Sequence, residues 1–428
     1  MKIYIFIFIL LTPVISSAYN LVGGKYSNVG DIATARVRGV TAAWLNPAGL
    51  ANEKSSSISS GASAYTYYFN NQDGNRTFST SSSTSHVGAV KTTKDYIFAF
   101  LLYTSFDQST QSSKSDYKTN SEGYLEGSNS SDKIDINQNI YVFALAPRYS
   151  NWGGAINITQ TSTSVSISEN SQNHSADSNK RFNKTSSITS TNQRFMVNLN
   201  FGQQFDVSDN LKIGYMITTP SYLLMGSGNF KFNSIQVKGE GANDSSVLQI
   251  NYDVDTKEVY NMTGEKIRTG LAYYFKGYTI ELDLTHSSGY SKEKTTSEGR
   301  VDTSYWLSTI DFYQSTPGSI ENGNGPTEHN SITIGTSVGY DFNKNNSMGF
   351  GIRYSPTNQQ GGTGTNDIIV TSGFSNKYKN FIGSYGISVI KGLDTGKNIS
   401  FDNTLNRDVK SKQEFEIISL LVSGAYYF

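Results

Sequence analysis

The feature that most constrains this chain is a hydrophobic alternation of period two, repeated along much of its 428 residues. Between 278 and 286, Tyr278, Ile280, Leu282 and Leu284 share one parity, and Thr279, Glu281, Asp283 and Thr285 share the other. Phe195, Val197, Leu199 and Phe201 alternate with Arg194, Met196, Asn198 and Asn200. Ile332, Ile334, Val338, Tyr340 and Phe342 do the same against Thr333, Gly335, Ser337, Gly339 and Asp341. Successive side chains of a strand point to opposite faces, so each segment is a strand with one greasy face and one small or polar face.

A soluble sandwich also alternates, so the connections must separate it from a membrane barrel. Short links occur at 91–95, 149–153, 206–210, 275–278 and 341–346, and between them lie long polar stretches at 108–133, 167–191, 224–264 and 291–330. Tight turns at one end and long connections at the other are the asymmetry of an outer-membrane barrel. Counting from Glu53 yields fourteen strands, near 54–70, 78–91, 95–110, 132–149, 152–168, 189–206, 210–224, 264–276, 277–290, 330–342, 346–356, 377–391, 398–406 and 412–428. The number is even, as single-chain bacterial barrels require, and several segments reach the ~9–11 residues a tilted spanning strand needs. The last one places Ile418, Leu420, Val422, Gly424, Tyr426 and Phe428 on one parity, with Leu421 and Tyr427 as exceptions on the other. An apolar strand ending in Phe is similar to the assembly signature of such barrels. The fold class expected is therefore all-β: a transmembrane, antiparallel, up-and-down β-barrel of about fourteen strands.

Composition fits. Hydrophobic residues make up only 36% of the chain although aromatics reach 13%, because a barrel commits every second residue to lipid. Lys plus Arg and Asp plus Glu both number 35, which removes the electrostatic case for nucleic-acid binding. The absence of Cys argues against a disulfide-stapled secreted scaffold. The chain starts with Met1-Lys2, an apolar run over 3–15 and Ser16-Ser17-Ala18, the pattern of a signal peptide ending at 18 with Tyr19 as mature N-terminus. That run is too short for a spanning helix of ~20 residues. The expected organisation is a signal peptide at 1–18, an N-terminal segment at 19–52 and a barrel at 53–428, in the bacterial outer membrane.

Residues 19–52 do not alternate. They contain Gly23-Gly24, Gly30 and Gly39, then Ala42-Ala43-Trp44-Leu45-Asn46-Pro47-Ala48-Gly49-Leu50. Small residues permit close backbone packing in a confined space, and Pro47 disfavours helix at Asn46. A compact plug in the lumen has such a composition; a loose tail would leave Trp44 and Leu45 exposed. The stretch from Arg38 to Ala51, centred on Asn46-Pro47-Ala48, resembles the N-terminal hatch of the FadL/TodX family. These are outer-membrane transporters for long-chain fatty acids and other hydrophobic compounds. The run from Gly349 to Ser355-Pro356 is similar to a family pattern that ends in Ser-Pro after a late strand. The resemblance implies a barrel of fourteen strands and passive uptake. A hydrophobic molecule would be captured near the outer loops and held in an apolar pocket. Movement of the hatch residues Trp44, Leu45, Asn46, Pro47, Ala48 and Gly49, with a gap at a kinked wall strand, would release it sideways.

The third strand, from Tyr96 to Tyr103, is apolar on both parities, where an aqueous porin wants a polar inner face. Phe98, Phe100, Leu101 and Tyr103 are therefore candidate ligand contacts, as are Tyr141 and Phe143 on the fourth strand, opposite in parity to Ile136, Ile140 and Val142. The same residues would equally serve to pack against Trp44 and Leu45. Leu223 and Leu224 offer a surface groove for capture, or part of an interfacial aromatic girdle with Tyr222. Arg36, Arg38, Arg148 and Arg194 are unranked partners for a substrate carboxylate.

The four histidines, His86, His174, His286 and His329, lack metal-ligand spacing, and 341–352 lacks the Gly and Glu of a calcium loop. Gly361-Gly362-Thr363-Gly364 follows no strand-to-helix context for phosphate binding. No catalytic residue, metal or cofactor is expected, and the chain does not read as an enzyme. The expected partners are a hydrophobic small molecule or fatty acid, outer-membrane lipid and lipopolysaccharide, and the barrel-assembly machinery through the C-terminal strand. A monomer is expected. An aqueous porin and a structural or secretion-associated barrel remain the alternatives.

Overall fold

The computed structural model describes residues 26, 29–70, 76–119, 125–175, 180–240, 244–261, 264–288, 293–307, 310–322, 330–356, 365–394 and 414–428. The expected signal peptide therefore lies outside the described residues, as do the strand at 398–406, Gly361 to Gly364 and His329.

Strands dominate. In chain order they are β1 Ser57–Asn70, β2 Arg76–Thr92, β3 Tyr96–Thr119, β4 Leu125–Pro147, β5 Trp152–Ser175 and β6 Lys180–Ser208. There follow β7 Leu211–Thr218, β8 Tyr222–Glu240, β9 Asp244–Asn261, β10 Lys266–Phe275, β11 Tyr278–Ser287 and β12 Glu293–Leu307. The last six are β13 Ile310–Asn322, β14 Ser331–Asp341, β15 Asn346–Pro356, β16 Thr365–Tyr378, β17 Phe381–Asp394 and β18 Glu414–Tyr427. β1 to β7, β10, β11 and β14 to β18 pair in turn, and antiparallel pairing of β18 with β1 closes a ring of fourteen. Closure leaves no free edge in the wall, which is what a sheet crossing lipid requires.

Alternation maps onto the two faces. On β11, Ile280, Leu282 and Leu284 are 49%, 51% and 45% exposed on the outside, whereas Glu281 between them is 0% exposed inside. On β18, Leu420, Val422 and Tyr426 face outward, while Ser419, Leu421 and Ser423 are buried. Leu421, which broke the pattern in the sequence, is thus an inward residue of the lumen. Exposed Tyr149, Trp152, Phe205, Phe275, Phe342 and Phe381 cluster beside the tight turns, as an interfacial girdle does. No helix among the described residues is long and apolar enough to cross a membrane; the strands do so, and the chain is a bacterial outer-membrane β-barrel.

Three expectations need correction. The sequence reading left out β16, because Ile368-Ile369-Val370 interrupts the alternation: Ile369 points inward and is buried. β17 pairs directly with β18, so the ring of described strands reaches fourteen through β16. The seventh strand stops at Thr218 rather than 224, where Thr219-Pro220-Ser221 breaks the ladder; Pro has no N–H to give it. Tyr222 instead opens β8, which takes β7's place beside β6 after a register shift at Phe195/Met196. Finally, the polar stretches are not loops. β3, β4, β5 and β6 run on as long hairpins, and β8, β9, β12 and β13 extend the same sheet from β6. The extensions of β3 to β6 are rich in Ser, Thr and Asn on both parities and give little alternation to read, whereas β9 does alternate, with Leu248, Ile250, Tyr252 and Val254 against Gln249, Asn251, Asp253 and Asp255, inside a stretch read as a loop. At about 3.3 Å per residue, the 29 residues of β6 far outrun the membrane, so these hairpins project from the end opposite the tight turns.

Candidate functional site

Residues 29–52 form one compact body. Gly30 and Gly39 adopt positive φ (70° and 73°) and reverse the chain twice. A single helical turn, Ala42–Leu45, stops at Asn46, whose extended backbone (φ −169°, ψ 102°) is what the following proline imposes. Pro47 then starts a 3₁₀ turn, Pro47–Asn52, and Asn46 caps it by accepting from the Ala48 N–H at 3.2 Å.

This body lies against the inward parity of the wall, and two surfaces receive it. On β2 to β5 the contact is apolar. Val40, Leu45 and Leu50 pack with Ile97, Leu101, Ile140 and Val142, and the half-buried Trp44 ring sits 6.0 Å from Tyr103. The Pro47-Ala48 peptide rests on Gly153, and the Asn46 side chain with the Pro47 ring rests on Gly202; the two glycines face each other across β5 and β6, and neither position has room for a Cβ. Asn46 Nδ2 donates to Thr34 O at 2.8 Å and to the wall carbonyls of Gln203 and Tyr215 at 3.1 and 3.4 Å. A single buried amide thus ties the segment to itself and to two strands.

The second surface is polar and built from one register row. Gln204, Gly214, Gly270, Asp283, Gly335 and Arg353 are neighbours across β6, β7, β10, β11, β14 and β15. The backbone of Thr34-Ala35 lies on Gly214 and Gly270, and Ile32 on Gly335. Asp283 Oδ2 accepts from the N–H groups of Ala33 and Thr34 (3.2 and 3.3 Å) and from Thr34 Oγ1 (2.7 Å). Two residues nearer the turn on β11, Glu281 Oε2 accepts from Arg36 Nε at 2.6 Å. Burial alone would lower the proton affinity of Arg36, but the groups around it, Glu281 first and then Tyr26, together more than offset this and hold the guanidinium raised above its ordinary value. The same guanidinium stacks on the Tyr26 ring at 5.4 Å. Beside the apolar surface, burial raises the Glu53 carboxyl although Gly39 donates to it at 2.7 Å.

The wall is unevenly sewn. β3 and β4 pair from Tyr96↔Pro147 to Thr119↔Leu125, whereas β2 and β3 pair only from His86↔Tyr103 to Thr92↔Ile97 among the described residues. Beyond that point β2 continues beside β1, and β3 beside β4. The parting falls where the β1–β2 register shifts at Gly61/Ala62 and where His86 is buried, its Nε2 2.7 Å from Ser59 Oγ.

Several sequence candidates fall elsewhere. Leu101 and Tyr103 do face inward, buried to 0% and 2% exposure. Phe98, Phe100 and Phe143 point outward, and the Phe100 and Phe143 rings pack on the outer surface 5.2 Å apart. Tyr141 shares that outward parity, its Oη donating to Gln160 Oε1 at 3.2 Å. The inward residues are Ile97, Ile140 and Val142. β3 is apolar on both parities because one face meets lipid and the other the N-terminal segment, so its own pattern could not choose between them. Leu223 and Leu224 stand at the start of β8, half-buried and exposed respectively, outside the lumen row. Of the arginines, Arg36 is taken by Glu281, Arg38 is exposed and Arg148 donates to Thr93 O in a turn. Glu281, Asp283 and the wall glycines were missed; two acids on the polar parity of a spanning strand were their signal. No group of three metal-ligating side chains occurs among the described residues.

No protein-family model matches this chain, and no curated protein does. Solved structures do. A TodX monoaromatic hydrocarbon channel, the deltaS2 mutant, is 14% identical with a TM-score of 0.60, covering 95% of this chain and 98% of its own. The Ralstonia pickettii toluene transporter TbuX is 12% identical (TM-score 0.54; 95% and 98% covered). A Pseudomonas aeruginosa FadL homologue is 10% identical (TM-score 0.51; 94% and 97% covered). At these identities the likeness is one of fold, and it extends over nearly the full length of each chain.

Proposed function

We propose that this barrel, with the fold of the FadL/TodX channels, is an outer-membrane channel for passive uptake of hydrophobic molecules, with residues 19–52 as its hatch. The observation that carries the reading is the seating of residues 29–52 on the inner wall, next to apolar inward residues and a partly sewn seam. The names of the structural neighbours, a monoaromatic hydrocarbon channel and a toluene transporter, favour small hydrocarbons; a FadL homologue among them keeps fatty acids in range. Two apolar clusters line the inner wall: Leu101, Tyr103 and Ile140, which a ligand would reach once the segment covering them moves, and Ile369, Ile390 and Ile417. Apolar walls desolvate such a molecule at no hydrogen-bonding cost, which a polar porin lumen would not do. The parting of β2 from β3 offers the sideways exit into the membrane.

The partner chemistry proposed for the lumen is a hydrophobic small molecule. Lipid and lipopolysaccharide surround the outer face, assembly machinery reads β18, and the chain works as a monomer. Replacing Asn46 and Pro47 together, by Ala, is expected to impair hydrophobic uptake into proteoliposomes while the barrel still assembles, seen as heat-dependent gel mobility. Normal uptake by that double variant would sink the gating role. Steady ion conduction by the unaltered protein, without binding of a hydrophobic probe, would favour the porin instead.

A further inference from the structure

We propose that Glu281 and Asp283 of β11 are the lock that keeps the N-terminal segment seated, acting on Asn46 through Thr34. The proposal rests on the hatch reading and adds the residues that hold the hatch closed. Both acids face inward from one strand, two residues apart, and each grips a different part of the same short stretch: Asp283 takes Ala33 and Thr34, and Glu281 takes Arg36. Thr34 is the relay. Its N–H and hydroxyl are given to Asp283, while its carbonyl accepts from Asn46 Nδ2 at 2.8 Å and Gln204 Nε2 at 3.1 Å. When Thr34 leaves Asp283, Asn46 loses its shortest partner on the same move.

The chemistry of this seat differs from what simple packing would select. Elsewhere the segment is received by glycine backbone and aliphatic side chains, which bury area without charge. A buried ion pair costs desolvation that its own attraction scarcely returns, and the best-attested use of such pairs is to specify one arrangement or to switch between two. The glycines beside it serve the same end. At Gly270 a Cβ would lie 2.7 Å from Thr34 Cβ and 3.0 Å from Ala35 N, so the wall is cut away where the two carboxylates need the backbone close. The groups facing the lock are Arg36 and Tyr26 from the segment, Arg268 on β10, hydrogen bonded to Thr285, and Arg353 on β15, which donates to Gly30 O at 3.4 Å. Positive charge thus surrounds the two acids, and neutralising either acid removes a carboxylate that compensates it.

The test uses the full-length protein in planar lipid bilayers. The unaltered channel should show no steady ionic steps. Glu281→Gln and Asp283→Asn, each checked for a folded barrel by heat-dependent gel mobility, should show them. Thr34→Val, which removes only the hydroxyl, should give briefer openings. Reversing the pair, Arg36→Glu with Glu281→Arg, should return the channel towards silence, which a merely weakened barrel would not do. Folded Glu281→Gln and Asp283→Asn proteins as silent as the unaltered one, or a reversal no quieter than Glu281→Gln alone, would overturn the lock. Binding of N-phenylnaphthylamine, followed in parallel on the unaltered protein, keeps the two ideas apart. If that probe fails to bind, the hydrophobic-channel reading falls while the contrast in conductance still decides the lock.

Discussion

The two halves of the N-terminal segment are held by opposite physics. Residues 40–52 meet β2 to β6 mainly through aliphatic side chains, glycine backbone and one aromatic contact, with the Asn46 amide as their directional tie, and residues 29–37 meet β6 to β15 through glycine backbone, two carboxylates and the Gln204 amide. Apolar contact is non-directional and degrades gradually as atoms are removed. A buried ion pair is directional, and removing one partner strands the other. The first half should therefore loosen by degrees, and the second should be either seated or free.

The sharpest way to break this comparison is Glu281→Ala. Arg36 is then buried without its carboxylate, a loss of about 3–5 kcal/mol. Hydrogen exchange should show protection lost most over 29–37 and, through Thr34 and Asn46, to a smaller degree over 40–52; equal loss in both would mean that they open as one unit. Leu45→Ala tests the other half. The side chain is 1% exposed, so the change should cost about 2–4 kcal/mol, and exchange should rise mainly over 40–52. Gly270→Val asks whether the glycine row is required for the polar seat. Overpacking against Thr34 and Ala35 should cost about 1–3 kcal/mol, read as faster proteolysis of the segment in a barrel that still shifts on gels. The smallest effect belongs to Phe143→Ala, an outer-face change that should leave affinity for a hydrophobic probe unaltered. A clear loss of affinity there would put the ligand path outside the lumen.

Much of the architecture was legible because strand alternation is local. Ile280, Leu282 and Leu284 declare an outer face without reference to any partner, and turns such as Lys276-Gly277 declare the end at which hairpins reverse. Asn46-Pro47 was legible for the same reason, since proline imposes the extended residue before it whatever surrounds them. β16 was not, because Ile369 is an apolar residue on the inner face and erases the pattern that would have marked it. Nor were the extensions of β3 to β6, where Ser, Thr and Asn fill both parities; the alternation of Leu248, Ile250, Tyr252 and Val254 on β9 was legible but was counted as part of a loop.

The sequence alone determined that the chain crosses a membrane as a closed sheet of about fourteen strands and carries a small non-strand segment ahead of it. Those properties follow from periodicity and backbone stereochemistry, which act over a few residues. Only the tertiary structure decided which greasy parity of β3 and β4 faces inward, and that Gly214, Gly270, Asp283 and Gly335 form one row beneath Thr34. Each of these depends on register between strands far apart in the chain, and a register is set by the whole closed ring rather than by any one strand.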